Sequence, residues 1–145
     1  MALMATSFGF MLRAMLISEW GVEFNLTNTQ MGEIMGVGLW PFALSIVLFS
    51  LIIDKIGNGR AMVFAFTCHV SSVAITLMAN GYWMLYIGTF IFALGNGSIE
   101  AIINPVVATI YSREKTKWLN ILHAAWPGGM VVGGILALSM GEAMD

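Results

Sequence analysis

Charged residues are scarce in this sequence. Asp, Glu, Lys and Arg make up 10% of the 145 residues, while 59% are hydrophobic and the mean hydropathy is +0.86. A water-soluble domain carries about 25% charged residues. Since so few charges do not cover a water-facing surface, lipid must be the solvent for much of the chain. The composition therefore predicts packed membrane helices, with the lipid bilayer as the first partner.

Cysteine and clustered basic residues are also scarce, and each scarcity excludes a class of protein. Cys68 is the only cysteine, so an intrachain disulfide and a zinc-ligand spacing are excluded. His69 and His123 lie too far apart in sequence to indicate a metal motif. The net charge of −2 comes without a basic patch, so no nucleic-acid partner is expected. No metal or cofactor is expected either.

The sequence consists largely of long apolar segments. A helix needs roughly 20 apolar residues to cross a hydrocarbon core of about 30 Å. Five segments meet this requirement, and together they predict an all-α transmembrane bundle over residues 1–145. The first segment lacks a basic start and carries Arg13 in its apolar part, so it predicts a span rather than a signal peptide. The predicted spans are residues 1–19, 31–53, 61–79, 83–111 and 119–141.

Basic residues are placed unevenly between the predicted spans. Five of the six fall in the second and fourth connections, which the positive-inside rule assigns to the cytoplasm. With five spans, the N-terminus is then cytoplasmic and the protein is predicted to be integral to the plasma (inner) membrane. These five residues are Lys55, Arg60, Arg113, Lys115 and Lys117.

Three polar residues interrupt the fourth span. Asn96, Glu100 and Asn104 lie four residues apart, so on a helix they form one polar stripe. The stripe is either a packing feature, with hydrogen-bonded amides and a permanently protonated acid, or a functional site. An ionisable group inside a membrane indicates function by default. We therefore expect Glu100 to couple proton movement, and the two amides to bind a solute.

Arg13 in the first span also needs a partner. Glu33, near the outer end of the second span, lies at a similar depth in the membrane. Because the long Arg13 side chain can reach that level, one interpretation is a structural ion pair between Arg13 and Glu33. The alternative is that Arg13 faces a cavity, where it holds a substrate oxygen or tunes Glu100.

The fifth span opens with further polar and aromatic residues. Asn120 and His123 share one helical face, with Trp126 one turn later. His123 could relay protons or serve as an interhelical hydrogen-bonding group. Trp126 could stack on a ring-shaped ligand or only fill space, and Asn120 is a candidate solute contact.

Two glycine pairs have the spacing that allows close helix approach. Gly32 and Gly36 lie in the second span, and Gly129 and Gly133 lie in the fifth. Both pairs predict tight helix packing.

The connection SLIIDKIGNGRAM resembles the cytoplasmic loop motif of the major facilitator superfamily of secondary transporters. Asp54, Lys55, Gly57 and Arg60 match that motif, whereas Ser50 replaces its first glycine. The resemblance implies a gating role for the four matching residues.

A second segment, ALGNGSIEAIINPVVATIY followed by KTKWLNILHAAWPGG, is similar to the fucose–proton symporter branch of that family. In that branch an acid precedes an Asn-Pro pair and a Leu-Asn pair opens the next helix. The resemblance implies proton and sugar coupling by Glu100, although this first span has Arg13 where related symporters have an acid. The matching residues are Glu100, Asn104, Pro105, Leu119 and Asn120.

Such transporters contain two six-helix bundles with the site between them. The chain is therefore expected to be a partial six-helix bundle that lacks its C-terminal bundle. The predicted function is proton-coupled uptake of a small polar solute such as a sugar, with no enzymatic activity. The alternatives are a truncated structural or regulatory membrane fragment, and an intramembrane hydrolase that uses Ser98 and His123.

Overall fold

The computed structural model describes the backbone of residues 2–142 and the side chains of residues 2–139. In this part of the chain every regular element is an α-helix, and five helical segments are long and apolar enough to cross a membrane. The predicted all-α membrane class is confirmed. Met1 and residues 143–145, which the predicted bundle includes, lie outside the described part. The helices are α1 Ala2–Glu23, α2 Asn28–Gly36, α3 Trp40–Ile56, α4 Asn58–Leu77, α5 Tyr82–Ile110 and α6 Lys115–Glu142.

The helices form two compact units. Residues 2–18 and 107–142 make up the terminal unit, and Glu19–Val106 make up the central unit. The terminal unit contains most of α1 and all of α6, while the central unit contains α2, α3, α4 and most of α5.

The second predicted span consists of two helices instead of one. A capping box starts α2: the Gln30 amide donates to Thr27 Oγ1 at 3.2 Å, and the Thr27 amide donates to Gln30 Oε1 at 2.9 Å. The chain then leaves the α-helix at residues 37–39 and resumes at Trp40. Pro41 lies in the first turn of α3. Because proline lacks an amide hydrogen and crowds the preceding turn, it favours a helix start at this point.

A single residue separates α3 from α4, where the sequence predicted a connection of seven residues. Gly57 has φ of +80° and ψ of 148°, a backbone conformation that residues with a Cβ rarely adopt. Its amide donates to Ile53 O at 2.8 Å, which ends α3, and its carbonyl accepts from the Ala61 amide at 3.2 Å. Asp54 and Lys55 therefore belong to the last turns of α3, and Arg60 belongs to the first turn of α4.

Helix α5 is the most buried span. In its most apolar stretch of 18 residues, 50% of the residues are buried. The corresponding fraction is 22% for each of the other two spans of the central unit. A hydrophobic cluster of Ile53, Ala61 and Ile102 joins α3, α4 and α5 near the Gly57 turn. Burial of both flanks of α5 fixes the direction in which its polar residues project.

Candidate functional site

The polar stripe of α5 is held inside the protein. Asn96 is 7% exposed, and Glu100 and Asn104 are half-buried. Within the described residues, Asn96 Oδ1 and Asn104 Oδ1 are buried and accept no hydrogen bond. A buried acceptor without a donor is unfavourable by about 1–3 kcal/mol. The stripe therefore contains two enclosed carbonyl oxygens that lack a hydrogen-bond donor.

Contacts with α3 fix one flank of this stripe. Ser45 Oγ donates to Leu94 O at 2.7 Å, and Ser98 Oγ donates to the same carbonyl at 2.8 Å. The two hydroxyl oxygens lie 3.0 Å apart. Gly97 approaches the backbone of α3 so closely that a Cβ there would collide with Phe42 O and with Ser45. This side of α5 has no room for a larger residue at position 97.

Contacts with α4 fix the other flank. Ser72 Oγ donates to Gly88 O at 2.7 Å, and a Cβ at Gly95 would lie 3.0 Å from Cys68 Cβ. The His69 ring packs edge-on against Phe92 with centroids 5.3 Å apart. The sequence analysis assigned no role to Cys68 or His69. The small residues at positions 88, 95 and 97 were the available signal for this packing.

Ser98 has a packing role in this arrangement. It is fully buried, and its hydroxyl is engaged by Leu94 O and Ser45. A nucleophilic serine needs an accessible hydroxyl beside a base. The geometry therefore does not support the hydrolase alternative.

Arg13 and Glu33 belong to different units, and the ion pair between them stays a prediction. Arg13 is 8% exposed, and its Nη1 donates to Gly9 O at 3.3 Å within α1. Glu33 is exposed, and its Oε2 accepts a hydrogen bond of 2.6 Å from the Tyr82 hydroxyl. The sequence analysis did not foresee this pairing between α2 and the start of α5.

The candidate residues of α6 lie in different surroundings. Asn120 and His123 are exposed, and Trp126 is half-buried against Phe10 of α1, with ring centroids 6.1 Å apart. The structure thus brings Asn96, Glu100 and Asn104 together on one helix. The contribution of Arg13 and of the α6 residues to the same site stays a prediction.

The four residues of the loop motif surround the Gly57 turn. Asp54, Lys55 and Arg60 are all exposed, and none of them forms an ion pair within residues 19–106. Lys55 lies in the last turn of α3, where the negative end of the helix dipole stabilises a cation. Their gating role stays a prediction.

The two glycine pairs behave differently. A Cβ at Gly129 would collide with Met4 and Ser7, and one at Gly133 would lie 3.3 Å from Met11 and Phe8 of α1. No atom of the described residues lies within 4 Å of a Cβ placed at Gly32 or Gly36. The predicted close packing is confirmed for the pair in α6 and is wrong, within the described residues, for the pair in α2.

Comparison with known proteins identifies the family of the chain. The family model of the Major Facilitator Superfamily matches residues 1–144. The chain is 23% identical over 130 residues to a putative metabolite transport protein of Haemophilus influenzae, covering 89% of this chain and 32% of that protein. It is 22% identical over 131 residues to a probable sugar efflux transporter of Helicobacter pylori, covering 90% of this chain and 34% of that protein.

A third relative is the gentisate transporter of Corynebacterium glutamicum, 21% identical over 117 residues, which covers 80% of this chain and 26% of that protein. The chain thus spans about a third of the length of the curated relatives it matches. No solved structure matches the chain. The match of the family model over nearly every residue, on a bundle of membrane-spanning helices, places this chain in the Major Facilitator Superfamily, a family of membrane transporters and not of enzymes.

Proposed function

We propose that the chain forms part of a secondary transporter for proton-coupled uptake of a small polar solute, with a sugar as the first candidate. The observation that carries this proposal is the polar stripe of α5. Asn96 Oδ1 and Asn104 Oδ1 are buried acceptors without a donor inside a membrane helix, and an acid lies between them. A sugar hydroxyl is a donor of the required kind.

Glu100 is the group that couples the solute to protons in this proposal. A protonated carboxyl is tolerated in a closed, water-free site, whereas a carboxylate there is unfavourable. Loss of the proton towards the cytoplasm would then favour release of the solute and return of the empty carrier. His123 is the candidate relay. The resemblance to the fucose–proton symporter branch supports this assignment. The probable sugar efflux transporter among the relatives supports a sugar as the solute class, and its name refers to efflux rather than uptake.

The loop motif acts as a cytoplasmic latch in the same proposal. Asp54, Lys55 and Arg60 lie at the ends of two helices that are joined by one glycine, so all three belong to the same corner of the chain. Their charges have no ion-pair partner within the central unit, which leaves them available to a further bundle. The proposed orientation places this corner and the N-terminus on the cytoplasmic side of the plasma (inner) membrane.

The test is transport by the whole protein that the gene encodes. Proteoliposomes loaded with a pH-sensitive dye would receive L-fucose or D-glucose, and solute entry and internal pH would be recorded together. We expect Glu100→Gln to abolish accumulation against a gradient while downhill exchange of labelled solute continues. Glu23→Gln, at an exposed carboxylate that ends α1, is the matched control. Unchanged accumulation in Glu100→Gln would refute the coupling role.

A small organic anion is the second candidate solute, because Arg13 is a cation held almost entirely out of solvent in α1. A guanidinium binds a carboxylate in a bidentate way. The gentisate transporter among the relatives is named for such a solute. In the same vesicles, Arg13→Gln should then abolish entry of labelled gentisate and leave sugar entry intact. The reverse pattern would favour the neutral solute.

A further inference from the structure

A second polar cluster lies in the central unit, away from the stripe of α5. Glu33 and Gly36 of α2, Trp40 at the start of α3, and Tyr82, Trp83 and Tyr86 of α5 line an open cavity of about 380 Å³. We infer that this cavity, hereafter the aromatic cage, binds an ammonium group through its aromatic faces and the Glu33 carboxylate.

Trp83 stands at a steep angle to both tyrosine rings from α5. The centroids of Tyr82 and Trp83 are 5.0 Å apart at 67°, and those of Trp83 and Tyr86 are 6.0 Å apart at 72°, whereas Tyr82 and Tyr86 are 5.7 Å apart at 43°. In an edge-to-face pair the edge of one ring covers one face of the other, so the opposite face of that ring stays available to a third group. The electron-rich face of an aromatic ring attracts an ammonium ion.

Charge in the aromatic cage has one sign. Among residues 2–139, Glu33 is the only charged side chain that lines it. The Tyr82 hydroxyl holds Glu33 Oε2 at 2.6 Å, which orients the carboxylate, and no other hydrogen bond to that carboxylate forms within the central unit. An oriented carboxylate beside aromatic faces is complementary to a cation with apolar substituents.

The backbone keeps the aromatic cage open. A Cβ at Gly36 would meet no atom within 4 Å, and the break between α2 and α3 follows directly. Trp40 and Trp83 are 51% and 68% exposed, so the cage opens outwards. Tyrosine and tryptophan at span ends also mark the level of lipid headgroups. An aromatic belt alone does not account for a carboxylate fixed among the rings.

An ammonium group can reach this level of the membrane from two sources. One is the headgroup of a phosphatidylethanolamine lipid, and the other is a free amine in solution. Both present the same chemistry to Glu33 and the rings, and the experiment below separates them.

The experiment is calorimetric titration of tetramethylammonium chloride into the purified protein in nanodiscs of phosphatidylglycerol, which supply no ammonium headgroup. Sodium chloride at equal ionic strength is the reference titrant. We expect saturable heat from tetramethylammonium only, and a Kd at least tenfold higher in Glu33→Gln and in Trp83→Leu. Tyr82→Phe keeps the ring and removes the orienting hydroxyl, so its Kd should rise a few-fold. Glu23→Gln is the control and should bind as the unmodified protein does.

Two further outcomes decide the proposal and its source. If tetramethylammonium gives the same heat as sodium, or if Glu33→Gln and Trp83→Leu bind normally, the aromatic cage is not an ammonium site. Gel filtration identifies a variant that fails to fold, and the other variant then decides. If phosphatidylethanolamine raises the apparent Kd by more than an uncharged glycolipid does when each replaces the same amount of phosphatidylglycerol, the lipid headgroup occupies the cage. If the two replacements change the Kd equally, a free amine is the ligand.

Discussion

Helices α5 and α6 have nearly equal lengths, 29 and 28 residues, and each contains an internal proline, Pro105 or Pro127. Each also has polar residues at helical spacing near that proline. Yet 50% of the residues in the most apolar stretch of α5 are buried, whereas the corresponding fraction in α6 is 17%. The polar residue Asn96 is buried, whereas Asn120 of α6 is exposed.

The difference between the helices comes from their glycines and serines. In α5, the small residues Gly88, Gly95 and Gly97 admit α3 and α4 on two flanks. In α6, an added Cβ would meet α1 at Gly129 and Gly133 but would meet nothing within 4 Å at Gly128. Neighbours on two sides of α5 bury its polar residue Asn96. Within the terminal unit, the glycines of α6 admit α1 on one side.

The largest expected effect is at the tightest contact of α5. Gly97→Ala places a methyl group against the α3 backbone, and overpacking of this kind destabilises by about 2–3 kcal/mol. Gly128→Ala in α6 is the control and should be neutral, since that position is open. Thermal denaturation in detergent, followed by gel filtration, measures both. Equal stability of the two variants would show that α5 is not constrained as described.

The second effect compares two glycines from pairs with the same four-residue spacing, one pair in α6 and the other in α2. Gly129→Ala should destabilise by about 1–2 kcal/mol, because the nearest atom, Ser7 Oγ, ends a side chain that can rotate away, while the Met4 backbone has to shift. Gly32→Ala should leave the melting temperature unchanged or slightly raised. A loss of stability in Gly32→Ala of similar size would mean that the pair in α2 is packed after all.

The third effect is functional. Replacing Asn96 by Leu removes a buried acceptor that has no donor, so stability should hold or rise. If Asn96 binds the solute, the apparent KM for transport should rise about tenfold. This is the change expected when one hydrogen bond that contributes roughly 1.4 kcal/mol to binding is lost. Asn120→Leu, at an exposed position of α6, should change KM less. An unchanged KM in Asn96→Leu would assign Asn96 to packing alone.

The smallest effect is that of a single hydroxyl. Ser98→Ala removes one hydrogen bond to Leu94 O while Ser45 still donates to that carbonyl, so the loss should be about 0.6 kcal/mol. Ser139→Ala in α6 is the matched control, because its hydroxyl bonds an exposed carbonyl one turn back and should contribute nothing measurable. Chemical denaturation of the two variants side by side would resolve the difference.

The spans were predictable from sequence because hydropathy and span length are local properties. The interruption of the second span was not predicted, although Pro41 was its local signal. The one-residue Gly57 turn was also missed. Six of the seven residues 54–60 are polar or small and resembled a loop, but helical hydrogen bonding extends from both sides up to one glycine with positive φ.

The candidate site was predictable in part. The spacing of Asn96, Glu100 and Asn104 placed them on one face without any knowledge of the fold. The surroundings of Glu33 and Ser98 were not predictable, because Tyr82 and Ser45 lie 49 and 53 residues away along the chain. No local pattern encodes which side chain lies opposite another helix.

The sequence by itself determined that this protein is a set of membrane helices with an acid inside one of them, since oil solvates apolar side chains and excludes charge whatever the arrangement of the helices. Only the tertiary structure decided which glycines touch a neighbour, which amide oxygens lack a donor and which rings surround a carboxylate. These properties belong to pairs of helices, and the same spacing in one helix is packed or open according to whether a second backbone lies against it.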